Sequence, residues 1–252
     1  MGKIVAIGGG EIGRPGYPVE TTKIDKEIIR LSGKKRPRLL FIPTASGDAE
    51  DYIKSVEKHF GQRLGCKVDT LLLVKTQPNK KEIRDKIFGA DIIYVGGGNT
   101  LKIMNRWRQL GVDKLLIEAH RRGIVMSGLS AGAICWFKYG LSDSRKFNNK
   151  TADFIRVAGL GLINALCCPH YDIEKARPGA LRKMMKRSVG VAIALDNCAA
   201  LEVVDGRYRI IASKRGKRGY EIYWKGRKRY EKSIGETKKF IPTAKLANNF
   251  LY

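Results

Sequence analysis

The 252-residue sequence predicts an α/β fold: a doubly wound, mostly parallel sheet with helices on both faces and an antiparallel C-terminal part. Two observations carry that expectation. Short runs that are apolar throughout, such as Leu39-Leu-Phe-Ile42 and Ile92-Ile-Tyr-Val95, alternate with amphipathic segments of helical length. Strands apolar on both faces belong in a parallel sheet covered by helices. Beyond residue 195, strand-like runs are instead joined by an Asp205-Gly206 hairpin turn, which is antiparallel chemistry.

The first strand, Lys3-Ile-Val-Ala-Ile7, empties into Gly8-Gly-Gly-Glu-Ile-Gly13. The glycine spacing matches a dinucleotide fingerprint, but Arg14-Pro-Gly-Tyr-Pro18 makes the continuation a loop, and that site needs a helix there. A helix over 22–31 places Ile24, Ile28, Ile29 and Leu31 on its buried side, and Gly33 ends it. Residues 38–42 form the next strand, and Pro43-Thr-Ala-Ser46 turns the chain into a helix over 50–61. A strand over 67–74, a helix over 80–88 and a strand over 90–95 follow. Leu101, Ile103, Met104 and Trp107 then read as helical, as do residues 113–122. The strand after Gly123 leads to a helix that starts at Ser130, and the polar stretch from Ser142 to Thr151 reads as loop. Apolar runs at 159–163 and 165–168 precede a helix over 176–188, strands at 189–195 and 199–204, the hairpin turn, and a strand at 208–213. Residues 216–252 carry little period and read as strand fragments and coil.

Composition narrows the function. With 43% hydrophobic residues the chain can fill one core, and one domain over 1–252 is expected. No window reaches the apolar length of a membrane span, and no signal peptide is seen, so a cytoplasmic protein is expected, with no membrane partner. Five cysteines without a C-x-x-C read as buried free thiols, and neither metal nor cofactor is expected. The net charge of +25 invites a polyanion partner. The cations are scattered, however, with clusters only at 33–38 and between Lys214 and Lys232, so nucleic acid is not expected; a homodimer stays open.

The chemistry centres on Gly128-Leu-Ser-Ala-Gly132, a strand-turn-helix with Ser130 at its tip and small neighbours that leave a nucleophile room. Three glycines, Gly96-Gly97-Gly98, end another strand and offer exposed backbone N–H groups to an oxyanion, unless they only form a turn with Asn99 as helix cap. Of three histidines, His59 and His120 sit in charged helical segments and read as surface residues. His170 follows an apolar strand directly and is the candidate base for Ser130.

Together with Phe41-Ile-Pro-Thr-Ala-Ser46, Ser142-Asp-Ser144 and Pro169-His-Tyr171, these motifs resemble the serine peptidase family of peptidase E (aspartyl dipeptidase) and cyanophycinase, over most of residues 3–213. The resemblance implies a class I glutamine amidotransferase-like fold, an acyl-enzyme on Ser130, His170 as base, and an oxyanion hole from Gly97 or Gly98 with Ala131. It also implies short peptide substrates, N-terminal Asp dipeptides among them, with Asn99 and Asp143 beside the substrate; Asp143 would meet a free α-amino group or merely cap its loop. Where the family has the triad's glutamate, this sequence has Asp196-Asn197. Asn197 is favoured by position and Asp196 by charge, with Glu202 more remote. The reading from another class is a catalytically silent binding domain that keeps the fold and its basic surface.

Overall fold

The computed structural model describes residues 2–186, 190–225 and 228–245. In chain order the elements are β1 (Lys3–Ile7), α1 (Thr22–Leu31), β2 (Arg38–Ile42), α2 (Glu50–Val56), β3 (Lys67–Thr70), α3 (Lys80–Gly89), β4 (Ile92–Val95), α4 (Thr100–Leu110) and α5 (Val112–Arg121). They continue with β5 (Val125–Leu129), α6 (Ala131–Ile134), β6 (Phe137–Ser142), β7 (Ile155–Ala158), β8 (Ile163–Cys168), α7 (Arg177–Met185) and β9 (Val191–Leu195). The chain closes with β10 (Ala199–Val204), β11 (Arg207–Ala212), β12 (Gly219–Lys225), β13 (Lys228–Ile234) and β14 (Ile241–Pro242).

An eight-stranded sheet runs β14-β11-β10-β1-β5-β4-β2-β3. From β1 to β3 every pairing is parallel; β10, β11 and β14 add on antiparallel. Because side chains alternate along a strand, its two faces build two cores. Ile4, Ala6, Leu40, Ile42, Ile93 and Val95 point to the side of α3, α4 and α5, where Ile87, Trp107 and Leu116 meet them. Val5, Ile7, Leu39, Phe41, Ile92 and Tyr94 point to the side of α1, which contributes Ile24 and Ile28. Helices therefore cover both faces, as the continuous apolar strands require.

A second sheet, β13-β12-β9-β8-β6-β7, was not anticipated as separate. One of its faces (Ala165, Cys167, Ile193, Leu195) joins the core of the first sheet, and the other (Leu166, Cys168, Ala192, Ala194) holds Leu181 and Met185 of α7. The helix expected from Ser130 lasts one turn, after which Trp136 and Phe137 lead into β6; aromatic side chains favour a strand there. Residues 216–252 are more regular than their sequence suggests over the part described. β12 and β13 pair along seven residues, with Tyr223 stacked on Tyr230 directly across at 5.1 Å. Strand 67–74 is shorter than expected, ending at Thr70, and β7 was missed. Parts of the expected 176–188 helix and 189–195 strand, and the end of the 216–252 stretch, lie outside the described residues.

The surface placement of His59 is corrected. It lies in a π-helical turn over 57–63 with 2% exposure, and its Nε2 is 2.8 Å from Oδ2 of the fully buried Asp25, which also accepts from Thr21 Oγ1 at 2.7 Å. His120 is half-buried. All five cysteines are free and buried, and no helix among the described residues is long and apolar enough to cross a membrane.

The turn after β5 is packed so closely on β4 that Gly132 admits no side chain: a Cβ there would stand 2.1 Å from the Val95 carbonyl oxygen. Gly132→Ala is expected to lose about 1–3 kcal/mol of stability in urea denaturation, as overpacked core positions do. Gly179→Ala, in α7 with open space around it, should gain up to about 1 kcal/mol from reduced chain entropy. Equal midpoints for the two variants would refute the packing described.

Candidate active site

Parallel strands deliver their carboxyl ends to one edge, and the chemistry-bearing residues gather there. Ser130 follows β5 directly with φ +58° and ψ −110°, a region a serine enters at a cost of about 1–3 kcal/mol. Three backbone bonds hold it: Ser130 N–H donates to the Ile7 carbonyl at 3.0 Å, and its own carbonyl accepts from Ala133 and Ile134 at 3.0 and 3.1 Å. The strain is thus borne by β1 and α6, and Ser130 is left lining a cleft.

His170 arrives from the end of β8, also with positive φ (+54°), and its backbone N–H donates to the Gly8 carbonyl at 3.0 Å. Its Nε2 is 2.7 Å from Ser130 Oγ, and its Nδ1 is 2.7 Å from Asn197 Oδ1. An amide oxygen only accepts, so Nδ1 carries the proton and Nε2 is free to accept from the serine hydroxyl. Burial first, and then the nearby Arg177 guanidinium, push His170 below its ordinary value of 6.5; the Asn197 bond, Glu174 and Asp143 pull the other way. Gly9 closes the array from below. A Cβ on it would stand 2.1 Å from Asn197 Oδ1 and 2.4 Å from His170 Nδ1, so this glycine, read in the sequence only as part of a failed dinucleotide motif, is required by the imidazole.

Of the three candidates for the residue behind His170, Asn197 is the one in contact. Asp196 points away, accepting from Arg218 N–H at 3.1 Å, and burial raises its pKa. Glu202 is fully buried on β10 and bonds Arg209 Nε at 2.6 Å, in a group with Glu27. Asn197 is itself braced: its N–H donates to Asp172 Oδ1 at 2.8 Å, and Lys217 Nζ lies 2.5 Å from Asp172 Oδ2. Burial works against the Asp172 charge, but Lys217 and the Asn197 N–H hold its pKa below the ordinary value. Two lysines of the basic cluster at 214–232 are therefore paired with acids beside the site, Lys217 with Asp172 and Lys214 with Glu20.

The glycine loop after β4 lies beside the serine, since a Cβ on Gly97 would stand 3.4 Å from Ser130 Cβ. Gly97 N–H donates to Tyr52 Oη at 3.1 Å and is thereby occupied. Ala131 N–H sits in the first turn of α6, where no intrahelical acceptor exists, and Gly98 N–H has no acceptor among the described hydrogen bonds. Asn99 serves as N-cap of α4, accepting from Lys102 N–H at 3.0 Å while donating to the Ser144 carbonyl at 3.1 Å. Ser144 Oγ accepts from Leu101 N–H, so the Ser142-Asp-Ser144 motif is tied to the same helix start. Asp143 is 3.8 Å from the guanidinium of Arg177, which is 2% exposed and also donates to Glu174 and to the Leu141 carbonyl.

A cleft of about 720 Å³ opens over Ser130, His170 and Asn197. Its wall carries Tyr52, Gly97 and Gly98, the loop from Gly10 to Glu20, and Asp51; Asn99 and Asp143 are not part of this lining. Arg14, paired with Glu11, is the cation among the lining residues, while Tyr17 and Ile173, 58% and 55% exposed, give it apolar rims. Among the described residues no group of three or more His, Cys, Asp or Glu is arranged to hold a metal ion.

The signature of Peptidase family S51 matches residues 4–211. The uncharacterized peptidase YgaJ of Bacillus subtilis (strain 168) is 35% identical over 226 residues, covering 88% of this chain and 92% of that protein. The uncharacterized peptidase Lmo0363 of Listeria monocytogenes is 30% identical over 145 residues, 56% of this chain and 68% of its own. Among solved structures, a peptidase from an acI-B1 Actinobacterium superposes with a TM-score of 0.72 over 96% of this chain and 97% of its own, at 19% identity, and so shares the fold.

The surroundings of His170 predict its titration. Followed by the NMR shift of its ring protons, the imidazole should protonate with a midpoint below 6.5. A midpoint at or above that value would contradict the balance of burial and charge described.

Proposed function

Because the chain belongs to Peptidase family S51, a family of serine peptidases, we propose that it hydrolyses short peptides through an acyl-enzyme on Ser130, with His170 as base and Asn197 orienting the imidazole. The observation that supports this reading is the pair of 2.7 Å contacts that string Ser130, His170 and Asn197 together at the cleft floor. Ser130 gives its proton to His170 Nε2 as Oγ attacks the peptide carbonyl; the imidazolium returns that proton to the leaving amine, and water repeats the cycle on the ester. Gly98 and Ala131 N–H groups are assigned to the developing oxyanion.

Asn197 keeps the productive tautomer but offers no full negative charge to the imidazolium, so rate is traded for orientation at that position. Glu174 and Asp143 favour the protonated ring, but burial and the Arg177 guanidinium outweigh them.

For the substrate we assign short peptides with a free N-terminus, N-terminal aspartate among them. Arg14 suits the side-chain carboxylate, and of the acidic members of the wall Asp51 suits an ammonium, since Glu11 and Glu20 already face Arg14 and Lys214. Asp51 has no cation partner among the described residues, whereas Asp143 already faces Arg177.

Three sets of kinetics test this. Ser130→Ala should lower turnover on the order of a millionfold with folding intact; parental activity would remove Ser130 from the mechanism. Asn197→Ala should slow hydrolysis far more than Asp196→Ala, and the reverse order would move the third role to the carboxylate. On a dipeptide panel, free Asp-X should be preferred over its N-acetylated form, with the preference reduced in Asp51→Ala; equal cleavage of blocked and free peptides would sink the exopeptidase assignment.

A further inference from the structure

The glycine loop brings a side chain into the cleft that no motif marked. Tyr52 projects from α2 across the end of β4, and its hydroxyl accepts the Gly97 N–H at 3.1 Å. The ring is held rigidly. Phe41 packs edge-on at 5.2 Å, and a Cβ on Gly96 would stand 2.8 Å from Tyr52 Cε1, so Gly96 is the space the ring occupies. Tyr52 lines the same cleft as Ser130, and Gly97, which it bonds, is itself in contact distance of the serine.

A phenol has one proton to give as well as lone pairs to receive. One lone pair is taken by Gly97 N–H, and among the described residues the O–H donates no hydrogen bond. We propose that Tyr52 is a catalytic residue of this site, its hydroxyl donating a hydrogen bond to the oxyanion of the tetrahedral intermediate in the place that Gly97 N–H cannot fill. The proposal rests on Ser130 being the nucleophile. In the step, the Ser130 Oγ–carbon bond forms as the serine O–H breaks and its proton passes to His170 Nε2, the carbonyl π pair moves to oxygen, and the hydroxyl proton of Tyr52 stays on Tyr52. Gly97 N–H polarises that O–H, so the two act as a relay from the loop to the substrate. Burial, which pushes the phenol up to about 12, keeps the donor protonated throughout the neutral range.

Tyr52→Phe keeps the ring, its contact with Phe41 and the space at Gly96, and removes only the hydroxyl. We expect kcat to fall about a hundred- to a thousandfold, as for loss of one oxyanion donor, with KM nearly unchanged and the fold retained by circular dichroism. Affinity for a peptide boronate, which forms the tetrahedral adduct, should fall with kcat. A fluorinated tyrosine at 52, a more acidic phenol, should bring a new alkaline limb into the pH profile of kcat, which a merely structural ring would not produce. Unchanged kcat in Tyr52→Phe, or a loss confined to KM, overturns the proposal. Ser130→Ala separates the two readings: if Ser130→Ala is inactive and Tyr52→Phe is not, only the Tyr52 assignment fails. If Ser130→Ala stays active, both fail.

Discussion

The site depends on one steric condition: an imidazole must lie within hydrogen-bond distance of a serine hydroxyl on one side and an amide oxygen on the other, at the crowded carboxyl edge of a sheet. His170 meets it only because position 9 has no side chain, since a Cβ there would overlap both Asn197 Oδ1 and His170 Nδ1. The strands around the array follow from that condition. The end of β1 and the glycines after it supply Gly9 and the carbonyls of Ile7 and Gly8, which pin Ser130 and His170 respectively, so one segment fixes the separation of Ser130 and His170. Both residues have positive φ, and the backbone bonds to β1 are what the surrounding fold offers against that strain.

The second sheet has its meaning here. The first sheet alone delivers the serine and the glycine loop; β8 and β9 of the second deliver His170 and Asn197. Packing between the sheets, through a core that holds Cys167, Ile193 and Leu195 of the second with Ile4, Val95 and Met126 of the first, is therefore what sets the geometry between Ser130 and His170. Interiors packed at crystal-like density transmit small displacements, and a distance of 2.7 Å leaves little tolerance for them.

Much of this was legible in the chain. Apolar strands alternating with amphipathic helices led to the parallel sheet, and Ser130 and the glycine loop were visible because small residues between a strand and a helix have a mechanical consequence. His170 stood out as the histidine that follows a strand. What was hidden depends on residues distant in sequence. Asp196 and Asn197 are adjacent and chemically suited to the same place, and only the path of the chain after β9 decides which faces the imidazole. Gly9 is needed because of a ring contributed from β8, which no local pattern encodes. Tyr52 belongs to no motif that the sequence shows, and His59 beside charged neighbours reads as surface, although its partner Asp25 lies on another helix in the interior. The division into two sheets escaped because strand periodicity records burial, not which neighbour a strand pairs with.

The central claim is that Ser130 is a nucleophile activated by His170. Its most direct test is intact-protein mass spectrometry after exposure to a fluorophosphonate, with the adduct mapped by peptide sequencing. One adduct on Ser130, formed far more slowly in His170→Ala, is the predicted result; no adduct at Ser130, or equal labelling rates with and without the imidazole, would contradict it.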